Sequence, residues 1–138
     1  MILRACPKPI RKKRDFKRPA VMEQVPLEDS EQYALIEWLK LHKILHTANV
    51  PDRRNCQRMG YSKGIPDLLI FTRPPIVSDG LVYVGCAIEI KRRKGGVVSP
   101  EQKQWLENLK DLGWACFVAH GADEGIKFLK GLGYGFRG

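Results

Sequence analysis

An α/β fold, a small mixed sheet flanked by helices, is what this chain of 138 residues predicts. Two observations carry that prediction. Short apolar runs bounded by Pro and Gly alternate with longer stretches of helical periodicity. Their order reads helix, two paired strands, helix, strand, helix, which needs a sheet covered by helices to bury it. The length suits one domain with an ordinary core, and no internal repeat divides it.

The first element follows a basic arm, residues 1–27, and a single domain is expected over 28–138. Residues 1–20 hold eight of the 24 Lys/Arg and one of the 15 acids, so +7 of the net +9 sits there and +2 elsewhere. With too few apolar residues to pack, Ile10–Pro19 reads as a flexible electrostatic tether to nucleic acid, or as a solvated tail. The arm lacks the apolar segment of a secretion signal, and no run reaches transmembrane length.

From Glu28 to His42 the spacing predicts a helix, with Tyr33, Ile36, Leu39 and Ile44, together with Leu35 and Trp38, as its apolar stripe and Asp29 or Ser30 as its cap. Residues 46–63 read as irregular, polar and basic. Asp67–Thr72 is a short apolar strand, and Pro74-Pro75 with Ser78-Asp79-Gly80 turns the chain into a longer one, Leu81–Lys91, paired antiparallel with it. Lys91–Gly96 leaves as a basic loop. A helix opens at Ser99-Pro100-Glu101-Gln102 with Trp105, Leu106, Leu109 and Leu112 on one face. Trp114–Ala119 reads as a buried strand and Ala122–Leu132 as the closing helix.

Cys6, Cys56, Cys86 and Cys116 form no close pair, which argues against a zinc site; Cys86 and Cys116 read as core residues in a reducing cytoplasm. His42, His46 and His120 show no ligand spacing.

The chemistry concentrates in residues 64–91. Alternation along a strand projects Glu89 and Lys91 to one face while Ile88 and Ile90 enter the core. A neighbouring strand that starts at Pro66-Asp67 brings a second carboxylate beside Glu89. Two carboxylates form a hard site suited to Mg²⁺ or Mn²⁺, and the lysine beside them can orient an attacking water. Metal-dependent nucleases use this arrangement. A Glu-x-Lys triplet alone is weak; its place at the end of an apolar strand, after a Pro-Asp and before a basic glycine loop, strengthens it.

These residues resemble the VRR-NUC family, a branch of the PD-(D/E)XK nuclease superfamily. The pieces are Gly64-Ile65-Pro66-Asp67-Leu68, Ile88-Glu89-Ile90-Lys91, Ser99-Pro100-Glu101-Gln102 leading to Trp105 and Leu109, Gly113-Trp114, and the Asn49–Arg54 stretch. The resemblance covers about residues 28–132. It implies a restriction-endonuclease-like α-β-β-β-α-β core that cleaves DNA with Mg²⁺ or Mn²⁺. Asp67 and Glu89 become metal ligands, with the Ile90 carbonyl as a third. Lys91 becomes the catalytic lysine and Gln102 the last motif residue. The acid contributed by the first helix is Glu31, with Glu28 as the alternative. Single-domain members look like homodimeric resolvases of branched DNA, which makes a four-way (Holliday) junction the expected substrate. Flap or linear DNA on the same fold is the alternative.

Plainer readings stand beside these. Asp67 can cap a strand start, Glu89 and Lys91 can be a surface ion pair, and Glu31 can be a first-turn acid. Ser99 to Gln102 also spells a capping box. Arg92, Arg93 and Lys94 are expected to clamp phosphate, with Lys63, Arg53, Arg54 and Arg58 lining the other side. From a different functional class comes a nucleic-acid-binding module without cleavage.

Overall fold

The computed structural model describes residues 27–49, 62–76 and 80–135. Residues 1–26 of the basic arm, with Cys6, and Cys56, Arg53, Arg54 and Arg58 lie outside the described residues. The elements run α1 (Glu28–Leu41), β1 (His46–Ala48), β2 (Leu68–Ile70), β3 (Cys86–Lys91), α2 (Pro100–Asp111), β4 (Ala115–His120) and α3 (Ala122–Gly131). One sheet orders its strands β1-β2-β3-β4. The first two pairings are antiparallel and the last is parallel, so α2 is the crossover that parallel pairing requires.

The sheet has two different faces. Leu68, Ile70, Cys86, Ile88 and Ile90 point to one side and meet Leu35 and Leu39 of α1 and Leu129 of α3 in the main core. Gly125 lets α3 approach α1: a Cβ there would sit 3.1 Å from the Leu35 side chain. The opposite face carries Ala87, Glu89 and Lys91, and α2 covers it with Leu106 and Leu109 buried. All six residues of β3 are buried, as befits a strand flanked on both edges and covered on both faces.

Several sequence expectations need correction. β1 lies in the stretch read as irregular; three residues are too few to show alternation, and pairing with β2 makes the strand. Strand β3 is shorter than Leu81–Lys91, because β2 offers only three residues to pair with; Leu81, Val82 and Val84 are left exposed. Gly85 marks the boundary, where a Cβ would sit 2.6 Å from the Ile70 carbonyl and the Trp114 ring. β4 is the sheet's edge, so only Ala115 and Ala119 are fully buried, and Cys116 is half-buried. Helix α1 begins two residues earlier than a cap at Asp29 allows, and three earlier than a cap at Ser30. Leu27 is the N-cap and makes no side-chain bond, which leaves Glu28, Asp29 and Glu31 in the first turn where the helix dipole favours them. Tyr33 is exposed and Glu31 takes its place on the buried stripe with Leu35 and Leu39. Among the described residues no helix is long and apolar enough to cross a membrane.

Ile88 is fully buried at the centre of the sheet's apolar face. Ile88→Ala is expected to cost about 2–5 kcal/mol through lost burial and a residual cavity. Urea unfolding measures it, and a cost below ~1 kcal/mol contradicts this core.

Candidate active site

Extending the β2–β3 register one residue beyond Leu68↔Ile88 puts Asp67 opposite Glu89. Cross-strand neighbours share a face, so both carboxylates emerge on the α2 side. Because β2 begins at Leu68, the Ile90 N–H finds no strand carbonyl at this point. Asp67 Oδ2 accepts it at 2.8 Å. That bond ties the first carboxylate to the strand that carries the second.

Glu89 is the more buried of the two, with a side chain only 1% exposed. Its Oε1 is held twice: Lys91 Nζ lies 2.9 Å away and Gln102 Nε2 donates at 2.5 Å. Its Oε2 is buried and has no hydrogen-bond partner among the described residues. Lys91 reaches back along its own strand face to make this contact, as the two-residue alternation requires. Its ammonium also lies 4.0 Å from Glu28 Oε1 at the start of α1.

Gln102 does two jobs. Its N–H donates to Ser99 Oγ at 3.2 Å and its Oε1 accepts from Ser99 N at 2.9 Å, completing a capping box. The remaining Nε2 then points at Glu89. The loop before Asp67 is docked on the same helix. Trp105 Nε1 donates to the Lys63 carbonyl at 3.1 Å, and Lys63 Nζ lies 3.4 Å from Glu101. Gly64 has φ +89°, and a Cβ there would stand 2.7 Å from the Glu101 backbone. The sequence singled out Gly64 and Trp105 as motif pieces; their role in seating the Asp67 loop emerges only when α2 lies against it.

This assembly of strand carboxylates, lysine and helix glutamine is the one that the sequence motifs resemble. The VRR-NUC domain model matches residues 8–123. The chain belongs to the VRR-NUC family. A solved VRR_NUC domain protein is 28% identical over 79% of this chain and 89% of its own, with a TM-score of 0.64. A second solved structure, described as a VRR_NUC domain, is 19% identical over 75% of this chain and 94% of its own; its TM-score of 0.51 speaks for the fold. No curated protein matches. The family and the α-β-β-β-α-β order together give this VRR-NUC chain a nuclease-type fold.

Not every residue expected at the site is in it. Glu31 is directed elsewhere: its Oε2 accepts the Ala122 N–H at 2.6 Å and its Oε1 accepts Arg93 Nε at 2.7 Å. Of the two helix acids, Glu28 is the one whose carboxylate reaches Lys91. Helical spacing puts Glu28 and Glu31 on adjacent turns of one face, so the sequence alone does not separate them. Arg93 is likewise engaged, by Glu31 and, at 3.4 Å, by Asp123. Arg92 and Lys94 are exposed and enter no ion pair among the described residues. Lys63 is largely exposed, and its pair with Glu101 is a surface contact worth under about 1 kcal/mol. His120 stands beside Lys91 in the β3–β4 register, with Glu124 3.8 Å from its Nδ1.

The buried carboxylates are electrostatically strained. Burial, reinforced by the negative charge of Asp67, pushes Glu89 up to about 7 against the pull of Lys91. Burial also raises Asp67, opposed by the Ile90 N–H and Lys91 and assisted by Glu28. For Glu31, burial acts upward, but the Ala122 N–H and Arg93 outweigh it and hold the group below the usual carboxylate range. A carboxyl whose folded pKa is raised binds its proton more tightly when folded, so stability is gained as pH falls through that pKa. Between pH 8 and 5 the metal-free protein is therefore expected to become more stable. The Glu31 contribution opposes this only at lower pH, once that group itself takes a proton. Glu89→Gln is expected to raise the melting temperature at pH 8 and to flatten the rise toward pH 5. Thermal melts in EDTA across this range check both, and a wild-type melting temperature that falls steadily from pH 8 to 5 contradicts them.

Proposed function

We propose that this VRR-NUC chain is a Mg²⁺- or Mn²⁺-dependent DNA endonuclease that hydrolyses phosphodiester bonds in branched DNA. The observation that carries this reading is the buried Glu89 carboxylate. One of its oxygens is fixed by Lys91 and Gln102, and the other has no hydrogen-bond partner among the described residues. An unsatisfied, desolvated carboxylate oxygen is costly unless a ligand completes it. Among the described residues no three His, Cys, Asp or Glu side chains converge. The protein's share of a coordination sphere is then Asp67, Glu89 and the Ile90 carbonyl, a hard oxygen set. That suits Mg²⁺, which keeps waters and takes substrate phosphate oxygens as its other ligands.

When bound, such a cation supplies positive charge that polarises the scissile phosphate and lowers the pKa of an attacking water. The protein's own residues do the positioning. Gln102 and Lys91 hold Glu89 Oε1, so that Oε2 would be left to hold the metal. Lys91, kept in place between Glu89 and Glu28, orients the water and faces the negative charge that grows on the phosphate. α2 closes over the carboxylates and keeps them desolvated, which strengthens each of these interactions.

A homodimer acting on a four-way junction is the substrate reading favoured by resemblance to single-domain family members. It requires paired, symmetric nicks. The test compares labelled four-way junction, flap and linear duplex DNA, each with Mg²⁺, Mn²⁺ or EDTA. Metal-dependent paired cutting of the junction is the expected result; single nicks on linear duplex by a monomer would remove the junction and the dimer while keeping the chemistry. Asp67→Ala, Glu89→Ala and Lys91→Ala are each expected to lower kcat/KM by about a hundredfold or more. Gln102→Ala is expected to lose less activity, about tenfold, together with ~1 kcal/mol of stability from the broken cap. Cutting that survives Glu89→Ala or EDTA overturns the proposal, and metal-independent binding without cleavage points to a binding module.

A further inference from the structure

Glu31 is a buried carboxylate that the proposed reaction does not use. It sits on α1, 3% exposed, and joins three parts of the chain. It accepts the first N–H of α3 at Ala122 and the Arg93 guanidinium from the loop after β3. The joint is tight. A Cβ on Gly121, whose φ is +100°, would lie 3.0 Å from Arg93 Cγ and 3.4 Å from Glu31 Oε2. The Gly121 N–H in turn holds the Lys91 carbonyl at 3.1 Å. The loop also folds back on the strand it leaves, because a Cβ on Gly96 would stand 2.7 Å from Lys91 Cβ. Both ends of the segment 92–96 are thus fixed against Lys91, and Arg93 is fixed between them. On either side of Arg93, Arg92 and Lys94 are exposed.

We infer that Arg93 is a positioning residue, not a phosphate ligand: Glu31 and Arg93 lock the loop so that Arg92 and Lys94 form a two-point phosphate clamp beside Lys91. The inference rests on the nuclease reading only in taking DNA as the ligand. Two carboxylates, Glu31 at 2.7 Å and Asp123 at 3.4 Å, already offset the charge of the Arg93 guanidinium, which weakens its pull on a phosphate. Two preset cations bind a polyanion without the ordering cost that a loose loop incurs.

The experiment measures binding of a fluorescent duplex in EDTA across a range of salt concentrations, so cleavage plays no part. Each phosphate contact contributes about 0.9 to the slope of log affinity against log salt. Arg92→Gln and Lys94→Gln are each expected to flatten the slope by about that amount. Arg93→Gln is expected to weaken binding several-fold with the slope unchanged. Glu31→Gln is the sharper variant: it makes the protein more positive, yet is expected to weaken binding, again without changing the slope. Tighter binding and a steeper slope in Glu31→Gln overturn the inference, as they mean that Glu31 holds back a phosphate ligand. A slope that falls by about 0.9 in Arg93→Gln, or slopes indifferent to Arg92 and Lys94, also overturn it. Arg93 is half-exposed, so its variant decides the matter even if Glu31→Gln fails to fold. Wild-type binding without cleavage in Mn²⁺ removes the nuclease reading and leaves the clamp standing.

Discussion

A single buried charge organises this domain. Glu89 lies in an inner strand of the sheet, 1% exposed, on the face that α2 covers. A carboxylate in such a place is costly unless its oxygens are engaged. Its immediate partners come from its own strand and from α2, and Asp67 stands across from it. Lys91 is held by alternation, Gln102 by the helix cap, and Asp67 by a bond to the strand's own backbone. The sheet's other face supplies the apolar burial that tolerates the charge.

Much of this was legible in the sequence. Glu89 and Lys91 on one face follows from period-two alternation alone. Asp67 beside them follows from a strand start at Pro66, and the Ser99–Gln102 cap from its residue types. What was hidden depended on packing. β1 is too short to show a pattern and exists because β2 offers it a ladder. That Glu31 turns from Lys91 and Glu28 toward it depends on the position of Ala122, more than ninety residues away in the chain. Arg93 read as one cation of three in a basic run. Only the approach of α1 and α3 reveals that it is spoken for.

The two carboxylate clusters at this end of the sheet have opposite electrostatic character. Glu31 meets a guanidinium and a helix N-terminus, so its charge is satisfied and its pKa depressed. Asp67 and Glu89 share one ammonium; burial raises both, and the charge of Asp67 adds to the rise of Glu89. The first cluster spends its charge on holding elements together. The second leaves charge unsatisfied, which is the condition for binding something positive. The net charge of the chain gives no hint of this division, because it is a matter of partners and depth.

The double engagement of Gln102 has an evolutionary corollary. One amide closes the cap of α2 and also steadies the Glu89 carboxylate. Mutational drift at this position therefore meets two selective pressures at once. A lineage that abandoned the chemistry would still feel the loss of the helix cap, and would keep a residue able to serve it.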